Sequence, residues 1–254
     1  MALLDTVSSS ADLHFQRTAA RLLEEATPKP PLEPLLRRPQ PLARISPQPD
    51  RLMAVRAARV PLLEAARPLL EILARVPAEL DVTDQEGFHR ALVREVVAFQ
   101  SIAQDARLPS DDVLMASYLL CAALDEAVGR MPWGRGDGST RPGWQGRLSV
   151  EMHRAGNGGE GFFLLLGGLT VRLDQYLDLT ELMVMLLALG FEGMYAQRHN
   201  GLNVLRDIRH QVFTMVHAQR RADASPRWRA IEHLLRWRSL DEVLTEIGLE
   251  ELFS

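Results

Sequence analysis

The residues best suited to chemistry are two neighbouring acids near the end of an apolar segment. Asp125 and Glu126 follow the sequence LCAAL and precede a Pro-Trp-Gly sequence at residues 132–134. The segment has a helical apolar pattern, and successive side chains on a helix point about 100° apart. The two carboxylates therefore cannot act on one bond as a catalytic pair. One acid could bind a backbone amide or an arginine while the other lies in a cleft, or one could cap the next loop while the other is solvated.

Other candidate groups lie around the glycine-rich sequence GNGGEG at residues 156–161, which His153 precedes and which includes Glu160. The chain lacks the His-x-x-x-His, Glu-x-x-His and cysteine patterns of metal sites, and it lacks the Gly-x-Ser-x-Gly pattern of hydrolases. No lysine follows the glycines, as a phosphate loop requires, and we expect Glu160 to lie at a helix N-terminus itself. We predict no catalytic residue, no cofactor and no metal site.

Composition favours a helical domain. The 254 residues are 46% apolar and 6% aromatic, and leucine and alanine, which favour helices, dominate. The net charge of -4 argues against a nucleic-acid partner. The longest apolar run, at residues 182–191, is about half of the ~20 residues that a membrane-spanning helix needs. We therefore expect a soluble, cytoplasmic, all-α protein whose single cysteine, Cys121, is a buried apolar residue.

Three parts are predicted along the chain. Residues 1–50 contain a short helix near residues 11–26 and a proline-rich linker from residue 27, which reads as a flexible tether or as a segment draped on the domain. Residues 51–222 form the helical domain. Residues 223–254 contain two amphipathic helices, the first with its apolar residues near one face, and this helix either packs on the domain or binds a membrane surface or a partner.

Within the helical domain, local signals predict where helices begin or break. Thr83 with Glu86, and Asp178 with Glu181, have capping-box spacing, and Ser110 is expected to be an N-cap. Pro68 is expected to kink or restart its helix. The last predicted helix has an apolar stripe at Leu202, Leu205, Ile208, Val212, Met215 and Val216.

Several short motifs occur together in an order that resembles the DotU/TssL (IcmH-like) family, the inner-membrane components of type VI and type IVB secretion systems. The resemblance covers residues 59–216. Its acidic motif is Leu-Asp-Glu-Ala, with Asp125 and Glu126, and it is accompanied by Pro-Trp-Gly, Gly-Gly-Glu-x-Phe-Phe and Leu-Gly-Phe-Glu-Gly. The motif residues expected to be structural are Pro132, Trp133, Gly134, Trp144, Gly158, Gly159, Glu160, Phe162, Phe163, Gly190, Phe191, Glu192 and Gly193.

The resemblance implies a hook-shaped domain of two small helical bundles with seven or eight helices, and it implies no enzyme activity. It implies a scaffold at the cytoplasmic side of the bacterial inner membrane. The implied partners are a TssM/IcmF-like inner-membrane protein, TssK- and TssE-like baseplate proteins, a TssJ-like lipoprotein complex and a second copy of the chain. Asp125 and Glu126 are then interface or cleft residues.

One departure from the family is that its usual transmembrane anchor is not recognisable in residues 223–254. Two alternatives to the membrane-complex scaffold follow. The chain could be a free cytosolic adaptor without an anchor. It could also be a hydrolase that uses Asp125, Glu126, His153 and Glu160, which would require these side chains to converge in a cleft.

Overall fold

A computed structural model describes residues 48–136, 143–144, 146–154 and 158–220. Within these ranges the chain forms eight α-helices, one short 3-10 helix and no strand, which confirms the predicted all-α fold. The helices are α1 (Pro49–Ala57), α2 (Pro61–Ala74), α3 (Val82–Asp105), α4 (Ser110–Arg130), α5 (Arg147–His153), α6 (Gly158–Thr170), α7 (Leu177–Ala188) and α8 (Gly201–Gln219), with the 3-10 helix at Gly193–Tyr195. The predicted helix at residues 11–26, most of the proline-rich linker and the C-terminal helices lie outside the described residues.

Helix α4 is the centre of the fold, as its apolar residues on nearly every side predict. It packs against α2, α3, α5, α6 and α7. Thirteen of its residues are buried, and Asp125 is the only acid among them. One apolar cluster includes residues from all eight helices. The division into two bundles and the hook shape stay predictions.

The other helices also pack on one another. Helices α1, α2 and α3 pack on one another, and α7 packs on α2, α4, α6 and α8. Helix α1 runs alongside α3, because Arg51 pairs with Glu95 and Arg56 donates to the carbonyl of Asp105. Helix α8 is antiparallel to α7, because Arg220, just after α8, pairs with Asp178 in the first turn of α7.

The structure corrects three predicted helix starts. Helix α3 begins at Val82 after Asp81, so Thr83 is inside it, and Glu86 pairs with Arg147 instead of closing a capping box. Helix α4 begins at Ser110 itself, after Pro109. No side-chain cap bond is made at either N-cap position.

The third corrected start is that of α7, which begins at Leu177 after Tyr176, so Asp178 lies in the first turn rather than at the N-cap. Glu181 is completely buried and pairs with Arg220. Two predictions within helices also change. Helix α2 continues through Pro68 as one element, and Leu202 is 62% exposed although it was predicted to belong to the buried stripe of α8.

Candidate functional site

Asp125 supplies the N-terminal cap of a helix from a distant part of the chain. Its Oδ1 accepts hydrogen bonds from the backbone N–H of Leu148 at 2.9 Å and from Nε1 of Trp144 at 3.0 Å, and its Oδ2 accepts from the N–H of Ser149 at 2.8 Å. Leu148 and Ser149 are the second and third residues of α5, and these are the donors that an N-cap side chain normally satisfies.

Helix α5 needs this cap because its own sequence provides none. The residue before it, Gly146, has a left-handed backbone with φ of 68° and has no side chain with which to accept a bond. The helix is only seven residues long, which is too short to be stable by itself in water. Asp125 therefore joins α5 to α4 and fixes the direction in which α5 points.

Trp144 extends this attachment into an aromatic cluster. Its ring meets Trp133 and His89 edge-on, with ring centroids 5.8 Å and 5.1 Å away. Trp133 also donates through Nε1 to the carbonyl of Pro77 at 2.8 Å, and Phe88 packs against both tryptophans. The Pro-Trp-Gly turn and Trp144 thus connect the end of α4 to α3 and α5, which is a packing role typical of buried tryptophans.

Glu126 holds a different segment, the turn between α7 and the 3-10 helix. Its Oε1 accepts from the backbone N–H of Glu192 at 2.8 Å, and its Oε2 accepts from the N–H of Gly193 at 2.6 Å. Arg130, one helical turn further along α4, donates to Oε1 of Glu126 and to the carbonyl of Gly190. The same guanidinium lies 3.3 Å from the carboxylate of Glu192.

A second arginine, from α8, also binds this turn. Arg209, on α8, donates to the carbonyl of Phe191 at 3.0 Å. The Leu-Gly-Phe-Glu-Gly turn is therefore held by an acid and an arginine from α4 and by an arginine from α8. Neither Arg130 nor Arg209 was predicted from the sequence. The spacing of Glu126 and Arg130, four residues apart on a helix, was a usable signal for the first, whereas nothing local indicated the second.

The two glycine motifs meet at one close backbone contact. Gly193 has a positive φ of 52°, and a Cβ on it would lie 2.9 Å from the carbonyl oxygen of Gly159. A Cβ on Gly159 would in turn lie 3.2 Å from the backbone of Gly193. Glycine at both positions is what lets the first turn of α6 approach the turn that Glu126 binds.

The aromatic residues of these motifs pack around that contact. Phe162 and Phe191 have ring centroids 4.4 Å apart, and Phe163 meets Tyr195 edge-on at 4.7 Å. Gly190 has a φ of 97°, which reverses the chain after α7. Gly158 and Glu160 lie in the first turn of α6, and Pro132 and Gly134 lie in the turn after α4. Most of the predicted motif residues thus lie around the segments that the two carboxylates hold, whereas Glu160 is exposed.

The electrostatics of the two acids follow from their burial. Burial raises the pKa of Asp125, although the hydrogen bonds from Ser149, Leu148 and Trp144 lower it in part. Burial also raises the pKa of Glu126, which Arg130 and the two backbone donors lower in part. Both carboxylates have donors on each oxygen, and most of these donors are backbone N–H groups.

The side chains named for the alternative hydrolase, and the single cysteine, differ in their surroundings. His153 is buried, its Nε2 lies 3.0 Å from Oγ of Ser117, and burial lowers its pKa to about 4. Glu160 is exposed. Cys121 is buried and burial raises the pKa of its thiol. Among the described residues there is no group of three or more histidine, cysteine or acidic side chains that could hold a metal ion.

Comparison with protein families matches residues 61–245 to the family described as type VI secretion system protein DotU. A comparison with curated proteins gives no match. Across the part of the chain that the structure describes, every helix is too short or too polar to cross a bilayer. The family match includes both carboxylates, both segments that they hold and much of residues 223–254. It covers well over half of the sequence, and the chain therefore belongs to the DotU family, whose members are components of type VI secretion systems.

Proposed function

We propose that the chain is a non-enzymatic scaffold that connects a TssM/IcmF-like inner-membrane protein to TssK- and TssE-like baseplate proteins at the cytoplasmic side of the inner membrane. The observation that carries the proposal is the use of the two motif acids. All four oxygens of Asp125 and Glu126 accept hydrogen bonds from groups within the chain. Acids committed in this way act on the shape of the protein and are not available for acid–base chemistry.

In this proposal the partners bind the segments that the two acids hold. One segment is α5, on which Val150 is 51% exposed and Arg147 is also exposed. The other is the connection that follows the turn at Glu192, where residues 196–200 are all exposed. Polar loops fixed on a rigid scaffold are a common site of recognition. Asp125 and Glu126 are then positioning residues that set the geometry of the binding surface without touching the partner.

A pull-down with one alanine variant at each acid tests this role. The chain is presented to the TssM-like cytoplasmic domain and to the TssK-like protein, with Asp125→Ala and Glu126→Ala beside the exposed control Asp84→Ala. Circular dichroism establishes that each variant is folded. We expect the two buried-site variants to bind at least about tenfold more weakly, because each frees one end of a presented segment, and we expect the control to bind normally.

Second variants separate positioning from direct contact. Val150→Asp and His199→Asp change exposed residues on the two segments and leave both acids in place. If the segments are the binding surface, these variants lose binding while keeping the stability of the parent. Normal binding by all the variants would contradict the proposed role of the acids. No binding by the parent chain to either protein would contradict the scaffold function itself and favour the free adaptor.

A further inference from the structure

Helix α6 has an apolar face that the described residues leave partly or fully exposed. The face consists of Leu164, Gly167 and Gly168 of α6 and of Val171, the residue just after the helix. Val171 is 78% exposed, and Cβ atoms built on Gly167 and Gly168 would meet nothing within 4 Å among the described residues. This contrasts with the glycines at the start of the same helix, where close neighbours explain the absence of a side chain.

The two glycines are therefore unexplained by the described structure. Glycine is among the least favourable residues inside a helix, and neither position has a positive φ. A pair of glycines on one face forms a shallow notch that large side chains from another helix can fill. The face thus has the shape and the apolar character of a helix-packing surface.

The chain leaves the described structure at the end of the domain where α6 ends. Arg220, the last described residue, is fixed at the start of α7 by ion pairs with Asp178 and Glu181. The turn from α6 to α7 is compact, because Gln175 and Tyr176 both donate backbone hydrogen bonds to the carbonyl of Arg172. The end of α6 and the end of α8 consequently lie at the same end of the domain.

We propose that residues 226–239 of this chain form a helix that packs on the exposed face of α6. Five residues, 221–225, connect this segment to Arg220 and can extend over roughly 17 Å. A helix of these residues would be about 21 Å long, which is close to the roughly 20 Å of α6. The apolar stripe of the segment contains Trp228, Ile231, Leu234 and Leu235, and these large side chains fit the notch at the two glycines.

Charge and family membership agree with this arrangement. A helix returning antiparallel to α6 places Arg236 and Arg238 beside Glu160, which is exposed at the other end of α6. The family match extends to residue 245 and so includes the whole segment.

Hydrogen exchange of the full chain, read by mass spectrometry, tests the packing. An isolated helix of this length is marginal in water, so slow exchange of its amides requires packing. We expect residues 229–239 to exchange at least about tenfold more slowly than the same segment does as a free peptide. Gly168→Trp should abolish this protection, whereas Gly87→Trp, at another helical glycine with open space around it, should leave it intact.

Loss of protection in α8 would reveal that Gly168→Trp does not fold. A reciprocal variant keeps the test decisive in that case. Leu234→Asp alters no described residue and should increase exchange in residues 167–171 and in the segment itself. Fast exchange of residues 229–239 in the parent chain would overturn the proposal. So would protection that survives both variants. Protection that grows with protein concentration would assign the face to a second copy and would also overturn it.

Discussion

Replacing Asp125 by alanine should destabilise the whole domain and α5 most of all. The change removes the acceptor for three donors, the N–H groups of Leu148 and Ser149 and Nε1 of Trp144. A buried donor left without a partner costs about 1–3 kcal/mol, and loss of a helix cap costs about 0.5–2 kcal/mol. Because α5 is short, it can open and let water bind the freed donors, so the full sum of these costs is not reached. We expect a loss of about 3 kcal/mol in the free energy of unfolding.

Urea unfolding followed by circular dichroism measures the global loss, and hydrogen exchange at residues 147–153 measures the local one. Asp111→Ala provides the matched control, because Asp111 is an exposed acid on the same helix. This variant should lose only a few tenths of a kcal/mol of unfolding free energy, because it removes only the favourable interaction of an acid in the first turn with the helix dipole.

Asp125→Asn is the more specific variant for the same site. It keeps the shape and one acceptor oxygen, but it places an amide NH2 where Oδ2 now accepts from Ser149. We expect a loss of about 1–3 kcal/mol with faster exchange in α5. If Asp125→Ala costs less than about 1 kcal/mol and exchange in α5 is unchanged, the cap supplied by α4 does not stabilise α5, and the reasoning is refuted.

Three further predictions concern other parts of the structure. Gly193→Ala should cost about 1–3 kcal/mol of unfolding free energy, because the new Cβ meets backbone atoms at a position with a positive φ. The control Gly129→Ala, in open space on α4, should stabilise the protein by up to about 1 kcal/mol. The stabilising contribution of neutral His153 should fall between about pH 6.5 and 4, because its pKa of about 4 lies below that of the unfolded chain. Arg220→Ala should cost about 3 kcal/mol, because it removes the guanidinium that pairs with completely buried Glu181.

Each of these three predictions has its own measurement and its own outcome that would contradict it. Chemical unfolding compares Gly193→Ala with Gly129→Ala, and equal stability of the two would contradict the close contact. For His153, unfolding of the parent and of His153→Gln is compared from pH 7 to 4. The parent should lose about 3 kcal/mol relative to the variant, and a constant difference would contradict the buried neutral imidazole. For Arg220, Arg220→Lys should recover part of the stability, and no recovery would show that charge pairing with Glu181 is unimportant.

The helices were predictable because their signal is local and repeated. Helix α3, for example, buries Leu92, Val96 and Phe99, whose spacing is that of one face of a helix. The all-round apolar character of α4 correctly indicated its central position. The prediction that Leu202 is buried was wrong because this residue lies in the first turn of α8. There the direction of the helix axis, rather than the helical period, decides which side chain reaches the core.

The connections between helices were not predictable in the same way. Sequence signals favoured local caps at Thr83, Ser110 and Asp178, yet no side-chain cap bond forms at these helix starts. The cap that the structure shows at α5 comes from Asp125, 23 residues before Leu148 in the chain. The bond from Gly193 to Glu126 joins residues 67 apart. Such hydrogen bonds depend on how the helices pack, and no pattern in the neighbouring sequence predicts them.

The motif residues include some whose role was predicted from the sequence and two acids whose role was left open. Glycine-rich turns and aromatic residues were expected to be structural, and the structure places them in contacts around the two acids. The acids themselves were left open between capping, binding an arginine and lying in a cleft. Each turned out to accept backbone donors, and Glu126 additionally binds Arg130. Their role towards partners stays a prediction, because it concerns surfaces that the acids support rather than contacts they make.

The adjacency of Asp125 and Glu126 has a mechanical consequence. The two anchor points are one peptide unit apart, with Cα atoms about 3.8 Å from each other, on a helix that packs against five others. A force applied to α5 or to the turn at Glu192 therefore enters the core at the same place. Neither segment can be displaced through its anchor without moving α4, so pulling on one segment shifts the other in step. In a secretion apparatus, two surface regions distant in sequence would thus bear load as a single rigid body.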